Sequence, residues 1–435
     1  MSWGGTAMAD VARTGQDQDF RPGPPAVEPI HARVSYDRQP GDPAAHDGDQ
    51  WRATSVTFAS DSAVGRVTSV DALRGFAMFW IIAGDSLAWA LHNLSSGKDG
   101  LFSAATAFLS EQLMHVPWEG LRFYDFLFPL FVFVTGVSIP FSLPRLVAQK
   151  GKWAAYERVL RRSLLLFALG LIYYGGASNI WPEIRLLGVL QRIALCYLFA
   201  SLLFLHLDVR GLMVAFVSLL VGYWALMTFV PVPEVGAGSF AEDANLARWI
   251  DAQYLPGLRF YDDWDPEGLL STLPAIASCL LGVFAGLLLK ETRLEPRQKV
   301  VWFIGAGTIL VAVGFLWGLQ FPVVKKIWTS SFVLVAGGYS MLLLGMFYLL
   351  IDVWGHKAKA TIFLWIGANA IVLYMMNNIV GFQALAGRLV GGEVAKFLDV
   401  QLTKGAGSFV IVAIGLVLAI MLAGFLYRRR IFLRA

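Results

Sequence analysis

The stretch 115–143, HVPWEGLRFYDFLFPLFVFVTGVSIPFSL, sets His115, Trp118, Glu119 and Asp125 directly before an apolar run long enough to cross a bilayer. Ionisable side chains at a membrane boundary are costly unless paired or hydrated, so they are functional candidates by default. Imidazole titrates near neutrality and can act as general base or nucleophile, which makes His115 the leading catalytic candidate. A carboxylate hydrogen-bonded to the ring would orient it and stabilise its charge. Asp85 or Asp125 could fill that role, pairing with Arg192 or Arg122 being the alternative use of each.

Depth arithmetic brings four of these groups to one level. Asp85 lies about sixteen residues into the first apolar segment, or roughly 24 Å at 1.5 Å per residue. His115 ends the outer interfacial helix, Asp125 opens the second segment from the same side, and Arg192 lies about six residues into the fourth. Arginine suits phosphate or carboxylate recognition, with a clamp between helices as the plainer role for Arg192. Asp71 and Arg74, three apart at the inner end of the first segment, form either an i,i+3 pair or part of a cofactor entrance.

Trp264, Asp265 and Glu267 make an acidic turn beside an aromatic ring, suited to a sugar or an amine if it is not simply a solvated loop. Asn369 is an amide in mid-span, where hydrogen bonding between helices is the default; with Trp118, Glu119 and the 264–267 turn it completes the substrate-side candidates. Lys325, Lys326 and Trp328 read as interface anchors. The six histidines lack HExxH or CxxC spacing, so no metal site is expected. Cys196 and Cys279 lie in apolar runs and read as small core residues.

These side chains sit in a chain of 435 residues that is 57% hydrophobic and 15% charged, with mean hydropathy +0.59. So much apolar surface needs the bilayer as its solvent. A net charge of +4 does not point to nucleic acid. Ten apolar segments are expected to span, each near the ~20 residues that cross about 30 Å of hydrocarbon. They are 69–91, 123–143, 159–178, 186–206, 211–230, 269–289, 299–318, 329–351, 360–380 and 406–427.

Basic residues cluster between segments two and three (Arg145, Lys150, Lys152, Arg158, Arg161, Arg162), after segment six (Lys290, Arg293, Arg297, Lys299) and at the C-terminus (Arg428, Arg429, Arg430, Arg434). Positive loops stay cytoplasmic, so both termini are expected in the cytoplasm and loops 92–122 and 231–268 outside. Amphipathic stretches 101–113 and 242–255 within those loops read as interfacial helices on the outer surface. Residues 1–66, rich in Pro, Gly, Asp and Ala, are expected to be a disordered tail, leaving 67–435 as one transmembrane domain. The expected fold class is an all-α polytopic membrane protein.

Six motifs in order, SVDALRGFAMFW, HVPWEGLRFYDFLFPLFVFVTGVSIPFSL, GVLQRIALCY, DPEGLLSTLPAI, KKIWTSSFVLVAGG and GANAIVLYM, resemble the bacterial branch of the heparan-α-glucosaminide N-acetyltransferase family. The resemblance implies transfer of acetyl from cytosolic acetyl-CoA to an amino sugar or glycan across a multi-pass inner membrane. It places the catalytic histidine on His115 and implies a homodimer. Arg74 and Arg192 become the candidate contacts for acetyl-CoA. Two departures stand out: Asp85 and Glu119 occupy positions where the animal motif has asparagine. An ionised aspartate cannot donate to an oxyanion, so Asp85 would orient the histidine, and Glu119 would favour a cationic acceptor. The rival expectation is a proton-coupled transporter or flippase for a glycoconjugate, with Asp85, His115 and Asp125 as its relay.

Overall fold

The computed structural model describes residues 67–95 and 100–433; the tail expected at 1–66 lies outside the described residues. Among the described residues the chain is helical and has no named strand, only isolated bridges. Its long helices are α1 (Thr68–Ser95), α3 (Leu127–Tyr173), α4 (Val189–His206), α5 (Val209–Phe229), α7 (Thr272–Lys290), α8 (Pro296–Gly318), α9 (Ser330–Phe347) and α14 (Ala406–Arg428). Shorter ones are α2 (Leu101–Gln112), α6 (Leu246–Tyr254), α10 (Thr361–Ala368), α11 (Ala370–Ile379), α12 (Phe382–Val390) and α13 (Gly392–Gln401). Seven of the described helices are long and apolar enough to cross a membrane, or eight if the bent pair α10–α11 counts as one span. At 28 residues α1 is long enough as well, but it carries Asp71, Arg74, Asp85 and His92.

The 47-residue α3 is two helices in one. Straight, it would run about 70 Å, more than twice the hydrocarbon thickness. Gly151 breaks it with φ 81°, a left-handed conformation open to glycine at little cost. The chain folds back there: Tyr374 stacks on Tyr173 at 4.4 Å, and it lines one small cavity with Phe128 and Phe131 from the other end of α3. The expected segments 123–143 and 159–178 are the arms of this hairpin. Its first arm packs backbone to backbone on α7, where a Cβ at Gly136 would lie 1.9 Å from the Cys279 carbonyl oxygen and one at Gly282 1.9 Å from that of Phe133. Small residues permit that approach where lipid supplies no hydrophobic drive. Cys196 and Cys279 are buried and unpaired.

One expected span is not a continuous helix. The segment 360–380 bends by 64° between α10 and α11. Asn369 stands at the break, with φ −128° and ψ 29°. Hydropathy registers only that both pieces are apolar, so it could not foresee the bend. At the far end of α9 a π-helical turn, Tyr348–Val353, brings Asp352 to the start of α1. Its carboxylate accepts from the amides of Thr68 (3.3 Å) and Ser69 (3.0 Å), capping α1 from across the bundle.

The amphipathic stretches foreseen at 101–113 and 242–255 fold as α2 and α6. Asn245 starts α6 by accepting from the Arg248 amide at 2.9 Å. Helices α12 and α13 occupy a region where the sequence reading marks no helix.

Candidate active site

His115 lies in the irregular segment after α2, ten residues from Asp125, which sits in the 3₁₀ turn Phe123–Phe126 that leads into α3. Its Nδ1 is 2.7 Å from Asp125 Oδ1. Half of the imidazole side chain is exposed (51%), whereas the carboxylate is buried (1%). The other carboxylate oxygen accepts from the backbone amides of Val116 (3.1 Å) and Arg122 (3.2 Å). The Arg122 guanidinium donates to the His115 carbonyl (3.2 Å) and pairs with Glu111 (2.7 Å), bracing the same loop. The Tyr124 ring lies 4.9 Å from the imidazole. Asp125 is therefore held from several sides before any substrate arrives.

A third charged group completes the cluster. Lys325 Nζ is 2.9 Å from His115 Nδ1, 3.5 Å from Nε2 and 3.3 Å from Asp125 Oδ1. The loop that carries it is tied to the His115 loop by an antiparallel bridge, Glu119 to Val324, with the Gly120 amide donating to the Val323 carbonyl at 2.8 Å. The Lys325 side chain is 22% exposed, and its partial burial lowers its pKa. Nδ1 cannot donate to Asp125 and accept from Lys325 at once. Donation to the closer carboxylate leaves the Nε2 lone pair free as a base, with Lys325 donating to Asp125. An oriented imidazole beside a cation can abstract a proton at one atom and stabilise negative charge at another.

The remaining candidates divide. Asp85 is exposed and faces the Tyr124 hydroxyl rather than the imidazole, so of the two carboxylates it is Asp125 that holds the ring. Trp118 and Trp264 meet edge to face at 6.0 Å, and Trp118 Nε1 donates to the Phe240 carbonyl at 3.0 Å. Lys326 lies over Trp118 (5.7 Å) and Tyr261 (4.9 Å) and pairs with Glu242. Glu119 is exposed on the bridged loop.

Arg192 does not join the His115 cluster. It is buried behind Trp328, 5.0 Å from that ring, bonded to Ser271 Oγ and to the Gly268 carbonyl (3.3 Å). Its Nε and Nη1, like both polar atoms of the Asn369 amide, have no hydrogen-bond partner among the described residues. Arg74 bonds Asp71 at 3.3 Å, the i,i+3 pair foreseen.

The acidic turn 264–267 corrects an expectation. Asp265 and Glu267 are not turned to solvent for a sugar. Asp265 takes a bidentate grip on Arg185 (2.8 and 2.8 Å), and Glu267 adds a third bond at 2.8 Å. The guanidinium lies against the rings of Tyr174 (4.4 Å) and Phe260 (5.0 Å). Burial disfavours its charge, but the two carboxylates more than offset this and hold its pKa above the usual value. Burial also raises the Glu267 carboxyl, and it pushes the neighbouring Asp251 up to about 6. Breaking a buried pair from one side costs about 3–5 kcal/mol. Arg185→Met should therefore melt well below the parent protein in detergent, and an unchanged melting temperature would refute the clamp.

Residues 66–316 match the model of the heparan-alpha-glucosaminide N-acetyltransferase catalytic family. The chain belongs to that family. Human heparan-alpha-glucosaminide N-acetyltransferase is 27% identical over 402 residues, 78% of this chain and 57% of the human protein. The mouse protein of the same name is 25% identical over 381 residues, 73% of this chain and 54% of the relative. The chain thus spans about half the length of these curated relatives.

Two residues central to the geometry escaped the sequence reading. Lys325, 210 positions from His115, passed for an interface anchor; it also lies beyond the family-matched stretch. Arg185, 80 positions before Asp265, stands outside every apolar period. The one available signal was its place in PEIRLLG, just ahead of a span.

Proposed function

We propose that this family member transfers an acyl group, foremost acetyl, from cytosolic acetyl-CoA to an amine or hydroxyl of an extracytoplasmic amino sugar or glycan. The His115–Asp125–Lys325 cluster carries this reading. The acceptor nitrogen attacks the thioester carbonyl carbon, the C–N bond forms, and His115 Nε2 takes the amine proton. Negative charge gathers on the carbonyl oxygen, where the Lys325 ammonium stabilises it. When the C–S bond breaks, the proton passes from Nε2 to the departing sulfur, leaving free CoA and the amide. Asp125 fixes the ring throughout. Asp85 and Glu119, the exposed carboxylates near His115, face the acceptor, and the Trp118–Trp264 pair forms its aromatic wall.

The donor enters from the cytoplasm, because CoA is too highly charged to cross hydrocarbon unaided. We assign Arg74 to the cytosolic mouth, and the unpartnered atoms of Arg192 and Asn369 to the donor path inside the bundle. Ten crossings account for the helices: α1, both arms of α3, α4, α5, α7, α8, α9, the bent α10–α11 pair and α14. The Gly151 turn with Lys150 and Lys152, the α7–α8 loop and the C-terminus then lie in the cytoplasm, and His115 lies at the outer face. Asp243→Cys should accordingly react with an impermeant thiol reagent added outside intact cells, and labelling from the cytoplasmic side alone would overturn the topology.

Acetyl-CoA-dependent acetylation of a glucosaminide by the purified protein in detergent is the expected result for the enzyme. No gradient exists there, so proton-gradient-driven uptake without product modification would instead establish the transporter reading.

A further inference from the structure

Carboxylates surround the half-exposed imidazole of His115, and each is placed there by its contacts. Asp85 faces the Tyr124 hydroxyl, and the Tyr124 ring lies 4.9 Å from the imidazole. The charge of Asp85 also bears on Lys325. Glu119 is exposed on the loop bridged to Val324, the residue before Lys325. Glu111 holds Arg122 at 2.7 Å, and that guanidinium donates to the His115 carbonyl. Glu242 pairs with Lys326, the residue after Lys325.

The cations beside them already have their counter-charges. Lys325 is bonded to Asp125 at 3.3 Å, Arg122 to Glu111 and Lys326 to Glu242. In the loop that supplies Glu242, Arg248 is paired with Asp263 at 2.7 Å, and Arg259 is occupied by the carbonyls of Ala252 and Leu255. Around His115, five carboxylates thus stand against three cations. The two left without an ion pair among the described residues are Asp85 and Glu119, and both are exposed.

This imbalance acts on the acceptor. A sugar bearing a carboxylate or sulfate would bring like charge toward Asp85 and Glu119 and meet no uncommitted cation among these groups. Like-charge juxtaposition suppresses a wrong partner, whereas opposite charge steers the right one. The reacting nitrogen must arrive as the free amine in order to attack. The charge that Asp85 and Glu119 attract therefore belongs to a neighbouring amino group.

We propose that Asp85 and Glu119 set acceptor specificity by charge. The acceptor is an oligosaccharide with a second free amino group beside the reacting one and no acidic substituent. This inference rests on the acyl-transfer reading above and adds the charge of the substrate to it.

The test compares three acceptors at saturating acetyl-CoA in detergent: methyl glucosaminide, a disaccharide of two glucosamines, and a glucosaminyl-glucuronide. An exposed charge pair is worth up to about fivefold in binding, so kcat/KM should be at least about tenfold higher for the diamine than for the glucuronide. The single amine should fall between them, and the differences should lie mainly in the KM for acceptor. Asp85→Asn combined with Glu119→Gln should shrink the diamine-to-glucuronide ratio to about threefold or less. In the parent protein, 1 M salt should shrink it too, because the screening length falls from about 8 Å to about 3 Å. Glu119→Gln alone should give part of the change, and it decides if the double variant fails to fold. A parent ratio near one, a preference for the glucuronide, or a ratio that the substitutions leave unmoved would overturn the assignment. Transfer to none of the three acceptors would instead remove the acyl-transfer reading itself, and the inference with it.

Discussion

His115→Ala should lower turnover by about 10²–10⁴-fold, the usual contribution of general acid–base assistance, while acyl-CoA binding persists. The separation of effects follows from position. The imidazole stands half exposed at the end of the cluster, and its removal leaves Asp125 bonded to two backbone amides and to Lys325. Nothing that holds the helices depends on the ring. Asp125→Asn should cost nearly as much, because an amide can present its N–H to Nδ1 and impose the wrong tautomer. Asp85→Asn should do less, since Asp85 faces the Tyr124 hydroxyl and does not touch the imidazole. Near-normal turnover in the His115→Ala protein would eliminate both a base and a nucleophile at this position. Direct transfer between two bound substrates is favoured over an acetyl-imidazole, which would lie open to water on the exposed side. Labelled acetyl trapped on His115 in the absence of acceptor would reject that preference.

What was legible beforehand follows the range over which each signal acts. Hydropathy is local, so it located the apolar helices and separated the arms of α3, where Lys150 and Lys152 flank Gly151. It was blind to the bend at Asn369, because α10 and α11 are apolar on both sides of it. It also left α12 and α13 unmarked, since short helices between spans carry no long apolar run. The His115–Asp125 contact was half readable: both residues fall in one motif at a membrane boundary, but the sequence left Asp85 open as the ring's partner and the family resemblance favoured it, whereas the structure gives the place to Asp125. Contacts made over long sequence distance were not readable. Lys325 reaches the site only because a backbone bridge between Glu119 and Val324 joins two loops, and nothing in either loop announces that bridge. The acidic turn misled for the same reason: carboxylates in a loop look solvated until Arg185 is seen between them.

Lys325→Met should lower kcat by about 10²–10³-fold, the cost of removing one preorganised donor from a developing oxyanion, with little change in acyl-CoA binding. An ammonium has three donors. One is taken by Asp125 at 3.3 Å, and with the nitrogen 3.5 Å from Nε2 the others are within reach of the place a thioester carbonyl must occupy if His115 is to take the acceptor's proton. The pH dependence separates this role from a merely structural one. The lysine must be protonated to donate, so activity is present below its pKa and lost as pH rises through it. Burial lowers that pKa, so the alkaline limb should fall below the value near 10.4 of a free lysine side chain. In Lys325→Arg the cation does not titrate in this range, and the limb should move to higher pH or vanish even if the bulkier guanidinium slows the reaction. A Lys325→Met protein with the parent's kcat, or a Lys325→Arg protein with the parent's alkaline limb, would take the lysine out of the reaction. The cluster would then act through the His115–Asp125 pair alone, with the oxyanion donor to be sought elsewhere.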